Sequence, residues 1–241
     1  MSFIPRIVFH PSLPSTMDEA QRLAEAGAPE GTVVQAGIQT AGRGRFGNTW
    51  TSPEGNLYTT TLFRPQVATR FCAQMSFVCA VALSDTLVTC GVPKAAIGLK
   101  WPNDVLVDGK KIAGILLEMR SGQGDTPDYL TAGIGVNVAV APEGGTAISQ
   151  YSDAPLDEVR DALLGHLGAL YGVWLTQGFM PIRTRWLEQA YGVGKPVTAR
   201  MAERKVEGVF EAIDHDGNLI LKEPAGNSRT ISSGAVHFRV S

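Results

Sequence analysis

The chain has little of what would place it in a metal, redox or export class. Its three cysteines, Cys72, Cys79 and Cys90, are an odd number with no Cys-x-x-Cys pair, which argues against a disulfide framework and a thiolate metal site. Cys72 and Cys79 share one side of an expected helix with Met75, Val78 and Ala82 and read as buried, reduced thiols. The four histidines, at 10, 166, 215 and 237, are scattered, so no zinc site is indicated. Residues 1–14 lack the apolar core of a secretory signal. No run approaches the about 18 apolar residues of a membrane span, since Ser84 and Asp85 interrupt the best candidate. Cytoplasmic residence is the expectation. Charge is also sparse: 18% of residues are charged and the net charge is −2, unlike that of a dedicated nucleic-acid binder. Repeats, low-complexity tracts, Ser-His-Asp or Cys-His arrangements and paired-carboxylate motifs are missing too.

What is present is an ordinary globular composition. A hydrophobic content of 44% over 241 residues suits one large domain and a small one. The most informative stretch is Gly42-Arg43-Gly44-Arg45-Phe46-Gly47-Asn48-Thr49-Trp50. Its glycines match G-x-G-x-x-G, but a dinucleotide-binding turn must open a helix. Here the loop enters Thr51-Ser52-Pro53-Glu54-Gly55-Asn56, a run of turn formers, and the Rossmann reading fails. What remains is a pliable backbone carrying two guanidinium forks suited to carboxylate or phosphate.

Around this loop the pattern predicts alternating helices and strands. Thr16 followed by Glu19 is a capping-box signature for a helix over 17–26 stopped by Gly27. Strands are expected at 32–39, 56–63 and 129–140, and a helix at 71–90. Asp108-Gly109 between two apolar runs predicts a type I′ hairpin. Leu106 then pairs with Lys111 and Asp104 with Ala113, so Asp104 and Lys111 share a face while Lys110 points to solvent. Helices are expected at 156–175 and 181–191, with Trp101, Trp174 and Trp186 in the core. After Gly192 come short alternating segments at 197–201, 207–214, 218–222 and 229–232, the strands of a small β-barrel. The boundary divides the chain into 1–191 and 192–241. Arg43, Arg45, Lys100 and Lys111, with Asn103, Asp104 and Trp50, cluster at strand ends without a nucleophile. Such a set suits a reaction in which the substrates make the bonds and the protein positions them and neutralises phosphate charge.

Ser15-Thr16, Gln39-Thr40-Ala41-Gly42-Arg43-Gly44-Arg45, Trp50, Lys100-Trp101-Pro102-Asn103-Asp104, Lys111-Ile112-Ala113-Gly114-Ile115-Leu116 and Gly133-Ile134-Gly135-Val136-Asn137 follow one another in this order. Together they resemble the biotin protein ligases, of the monofunctional type, over nearly the whole chain. The resemblance implies an α+β fold: a mixed β-sheet flanked by helices, as in the class II synthetase-like catalytic domain, with a C-terminal SH3-like barrel. It implies activation of biotin with ATP and Mg²⁺ as biotinyl-5′-AMP, then transfer to a lysine of a biotin carboxyl carrier domain. By position it implies Ser15, Thr16, Met17, Gln39, Gly42, Arg43, Gly44, Arg45, Lys111 and Gly114 around biotin. It implies Arg43, Trp50, Lys100, Asn103, Asp104, Lys111, Asn137 and Arg239 around the nucleotide, with Asp104 as the magnesium ligand and Arg45 and Lys111 as catalytic residues. Met17 stands where the family usually has Asn, and Gly234-Ala235 where it often has Gly-Glu. Ser15-Thr16 lies too near the beginning for an N-terminal winged helix, so no nucleic-acid partner is expected; without a long apolar run no membrane partner is expected either, and a homodimer is left open.

Two other readings remain. One is a lipoate–protein ligase-type acyl transferase, since both acids are apolar and carry a sulfur-containing ring. The other is a non-catalytic binder or DNA-binding regulator. The R-G-R loop and the K-W-P-N-D and K-x-A-G-I-L blocks favour biotin. Lys111 and Arg45 argue against a dead enzyme. The 42–50 loop, rich in glycine, is expected to be mobile without ligand and to order over the adenylate.

Overall fold

The valine-rich segment 32–39 forms an inner strand of a seven-stranded sheet in the computed structural model, which describes residues 3–201 and 205–238. The strands are β1 (Arg6–Leu13), β2 (Thr32–Gln39), β3 (Leu57–Phe63), β4 (Ile97–Lys100), β5 (Asp104–Val107), β6 (Lys110–Ser121) and β7 (Pro127–Val136). They lie in the order β1-β2-β3-β7-β6-β5-β4. Only β1 and β2 run parallel; the other pairs are antiparallel. Helix α1 (Thr16–Glu25) links the parallel pair and covers one face. Helices α2 (Met75–Thr89), α3 (Leu156–Gln177) and α4 (Met180–Glu188) build the other side, where Leu57, Val105, Ala113, Ile134 and Val136 meet Leu83 and Leu163 in the main core. Trp101, Trp174 and Trp186 are buried there, as expected, and the three cysteines are free and buried.

The segment Thr69–Thr89, a 3-10 turn running into α2, is long and apolar enough to cross a membrane by length and composition. Ser84 and Asp85 therefore do not disqualify it as the sequence reading had it. Its setting decides the matter: 78% of the window is buried inside the protein, between the sheet and α3, so it is a core helix.

Two local expectations are corrected and one strand is added. The N-cap of α1 is Ser15, in extended backbone, whose Oγ accepts from the Met17 N–H at 3.3 Å. Thr16 is the first helical residue, and Glu19 pairs with Arg22 rather than closing a capping box. Gly27, at φ +85°, ends the helix as expected. In the hairpin, Asp108 and Gly109 both have positive φ (49° and 75°), and Leu106 pairs with Lys111, but a β-bulge then intervenes. Val105 faces Ala113, and Asp104 faces Gly114 instead of Ala113. The extra residue, Ile112, turns into the core with Ala113. Lys111 and Gly114, three apart, consequently both lie on the Asp104 face, which an unbroken strand would forbid. Finally, β1 was not foreseen. It is an edge strand exposed on both faces and carries Pro11, so it has no inward alternation to read and is held by its ladder to β2.

The C-terminal segment forms a second, antiparallel sheet of β8 (Pro196–Arg200), β9 (Lys205–Ile213), β10 (Leu219–Lys222), β11 (Ser228–Ile231) and β12 (Ala235–Phe238), in the order β11-β10-β9-β8-β12. Four of these match the expected strands to within two residues; β12 was missed. Trp101 Nε1 donates to the Gly217 carbonyl at 3.0 Å and Arg183 donates to the Ile213 carbonyl. These bonds fasten the second sheet to the first unit.

Candidate active site

The face of the large sheet beneath α1 carries glycines where other strands carry side chains. Gly114 on β6 pairs with Gly135 on β7, and Gly133 lies two residues away on the same face. A Cβ on Gly135 would lie 2.5 Å from the Trp50 indole, one on Gly114 2.8 Å from the same ring, and one on Gly133 2.6 Å from the Met17 sulfur. The missing side chains thus leave room for Trp50 and Met17 to settle on the sheet. Between them lies a narrow cleft whose empty space, part of it open solvent, is about 450 Å³.

One end of the cleft is a polar cluster built by α1 and β2. The Thr16 N–H donates to Gln39 Oε1 at 2.8 Å, and the Thr16 hydroxyl contacts the same oxygen at 3.1 Å. Thr60 donates to the Thr16 hydroxyl at 2.8 Å, and Gln39 Nε2 donates to Ser52 Oγ at 3.0 Å. Ser15 and Met17 complete this end and are buried. The other end carries Arg45 and Asn103. Arg45 Nη1 donates to Asn103 Oδ1 at 3.1 Å and to the Gly234 carbonyl at 3.2 Å, tying the loop to the second sheet. Burial pulls the Arg45 guanidinium below the usual arginine range, with Asp104 opposing the shift. It remains a cation.

Trp50 forms the wall between the two ends. Lys111 Nζ sits 5.2 Å from its ring centre and 2.5 Å from Asp104 Oδ1. The structure therefore brings Lys111 and Asp104 together, as the hairpin register predicts, against Trp50 rather than in the cleft's inner wall. The indole N–H is buried with no acceptor among the described residues. The loop neck is a short ladder in which the Trp50 N–H donates to the Gly42 carbonyl and the Gly44 N–H to the Asn48 carbonyl. A Cβ on Gly42 would lie 2.4 Å from the Trp50 carbonyl, so only glycine fits there.

Arg43 also borders the cleft, and its guanidinium is paired with carboxylates, with Nη2 2.6 Å from Asp18 Oδ1 and Nη1 3.1 Å from Glu118 Oε1. The Asn137 amide donates to the Thr146 carbonyl at 3.1 Å and the Lys111 carbonyl at 3.4 Å, pinning the loop after β7 to the backbone of Lys111. Lys100 pairs with Asp104 across β4 and β5 but does not border the cleft. Arg239 lies outside the described residues. Among the described residues no group of three or more His, Cys, Asp or Glu side chains could hold a metal ion. Sequence reading missed Thr60, Ser52, Asp18 and Glu118. The alternation of β3 would have put Thr60 on the face of Tyr58, but nothing local marks the two acids.

Residues 9–137 match the biotin/lipoate A/B protein ligase family, and residues 192–239 match the biotin protein ligase C-terminal domain. The chain is 42% identical to the biotin–[acetyl-CoA-carboxylase] ligase of Paracoccus denitrificans over 237 residues, covering 93% of this chain and 97% of that protein. It is 34% identical to the bifunctional ligase/repressor of Bacillus subtilis, covering 94% of this chain and 72% of that protein. Its fold is similar to that of the Aquifex aeolicus biotin protein ligase solved with biotin and ATP (TM-score 0.83, 27% identity, 99% of this chain and 100% of that one).

Proposed function

Because the chain belongs to the biotin/lipoate A/B protein ligase family, we propose that it is a biotin–[acetyl-CoA-carboxylase] ligase, and that the cleft between Trp50 and Met17 is where it works. It activates biotin with ATP as biotinyl-5′-AMP and passes the biotinyl group to a lysine of a biotin carboxyl carrier domain. In the first step the biotin carboxylate attacks the α-phosphorus and pyrophosphate leaves. In the second the lysine amine attacks the acyl carbon, AMP leaves, and the amine loses a proton. The lipoate alternative is not favoured, since the Paracoccus denitrificans and Aquifex aeolicus relatives carry biotin in their names.

The observation that carries this reading is the polarity of the cleft. Thr16, Gln39 and Ser15 offer donors and acceptors at one end, where a ureido ring needs both. Trp50 and the glycine floor give the middle an apolar slot. Arg45, with the Lys111–Asp104 pair beside it, gathers cationic charge at the other end, where the acyl-phosphate develops. In this reading Arg45 and Lys111 are the catalytic residues, and Asn103 and Trp50 border the nucleotide. Asp104 offers a single carboxylate, which suits an ion that binds mainly to substrate phosphates and keeps its waters. Asp104 would hold Mg²⁺ there, and the ion would neutralise phosphate charge.

The division into residues 1–191 and 192–241 is part of the same reading: the large sheet lies wholly in the first part and the second sheet in the other. So is cytoplasmic residence, where ATP is at hand and the three free thiols stay reduced. With a net charge of −2 we include no nucleic-acid partner. The free edge of β1 leaves room for a homodimer, which sedimentation velocity would detect.

Labelled biotin, Mg-ATP and a carrier domain, with and without the protein, test the activity; lipoate accepted in preference to biotin would overturn it. Gly135→Ala tests the slot. The added methyl must displace Trp50, and overpacking of about 1–3 kcal/mol is expected to weaken biotin binding by titration calorimetry on the order of tenfold. Unchanged affinity would show that Trp50 does not set the slot.

A further inference from the structure

The Arg43 guanidinium is paired with two carboxylates. Its guanidinium joins three elements that are remote in sequence: the loop that carries it, Asp18 in the first turn of α1, and Glu118 on β6. Glu118 is itself contacted by Gln21 Nε2 from α1. Two carboxylates against one guanidinium leave the junction with a net negative charge, so a phosphate arriving there would have to displace both acids. Arg43 also sits in the neck of the loop, bridged to Thr49 and adjacent to the Gly42–Trp50 backbone bond. Whatever fixes Arg43 therefore fixes the position from which Trp50 reaches the glycine floor. Arg45 fastens the opposite side of the same loop, to Asn103 and the Gly234 carbonyl.

Resting on the ligase reading above, we propose that Asp18 and Glu118 are positioning residues: a carboxylate clasp that grips Arg43 and holds the 42–50 loop over the cleft, so that the activated acyl group stays until the carrier lysine arrives. Neither carboxylate borders the cleft. The clasp acts through Arg43 on the neck, and through the neck on Trp50. A mixed anhydride reacts with water and with any nearby amine, so an early opening shows as misdirected labelling rather than as failed activation. The side chains are partly exposed, at 40% for Arg43, 58% for Asp18 and 28% for Glu118. The clasp is consequently of surface strength and sensitive to salt.

The test is the double variant Asp18→Asn, Glu118→Gln, which keeps shape and removes charge. Two quantities are read against wild type: biotin on an inert bystander protein relative to the carrier domain, and amide hydrogen exchange over residues 42–50 in the protein alone. Both are expected to rise about fivefold, the factor for ~1 kcal/mol of lost ion pairing, with carrier biotinylation kept within about twofold. Raising NaCl from low to high concentration should bring the wild type toward the variant's leak and leave the variant unmoved. Asp18→Glu should retain wild-type behaviour. Unchanged exchange, or a leak with no salt dependence in the wild type, would overturn the clasp. A wild type that transfers no biotin to the carrier would overturn the ligase reading instead, and the exchange measurement would still decide the clasp.

Discussion

Replacing Lys111 by alanine is expected to lower pyrophosphate release from biotin and Mg-ATP by at least about a hundredfold, the range seen when one preorganised donor to a developing anion is removed. Lys110→Ala should leave it within about threefold, as for an exposed surface change. The two lysines are neighbours in sequence and opposite in orientation. Lys110 is exposed beyond the turn. Lys111 lies between Asp104 and the Trp50 ring, and its carbonyl accepts from the Thr146 N–H at 3.0 Å. A charge fixed in that way needs no reorganisation when negative charge builds up on the acyl-phosphate. The loss should fall on the rate of activation more than on the KM for biotin, whose ring end we propose to lie at Thr16 and Gln39. Equal losses in the two variants would remove the basis for assigning Lys111 through the hairpin register.

Arg45→Gly is expected to separate activation from retention. The variant should still release pyrophosphate but label a bystander protein at least about a hundredfold more than wild type, since two charge-assisted hydrogen bonds, of roughly 1.5–3 kcal/mol each, are lost. Those bonds reach Asn103 and the Gly234 carbonyl, so their removal frees the loop from both the site and the second sheet. Phe46, at φ 57° and largely exposed, adds no anchoring. Its left-handed backbone is unfavourable for an aromatic residue. In the wild type, biotin plus ATP should slow hydrogen exchange over residues 42–50; in Arg45→Gly they should not. A variant that kept its adenylate as the wild type does would refute the role given to Arg45. The effect should exceed that of the clasp, because Arg45 is half-buried and Asp18 is mostly exposed.

Much of this was determined by sequence alone because it depends on neighbours in the chain. The Asp108-Gly109 turn follows from two residues that tolerate positive φ. Thr32–Gln39 follows from its apolar run, and the buried cysteines and tryptophans follow from helical and strand periodicity. The K-W-P-N-D and K-x-A-G-I-L blocks were legible as a set, and with them the family. Tertiary structure alone decided what depends on pairing. The bulge at Ile112 exists because the core takes both Ile112 and Ala113, and it is what lets Lys111 and Gly114 share a face. The edge strand β1 carries no inward pattern of its own and is specified by its partner β2. The Asn137 amide donates to two backbone carbonyls, and Arg43 is paired with acids 25 and 75 residues away. A motif states which side chains are available. Which of them are free for a ligand depends on the partners that folding brings within hydrogen-bonding distance, and those partners leave no mark in the local sequence.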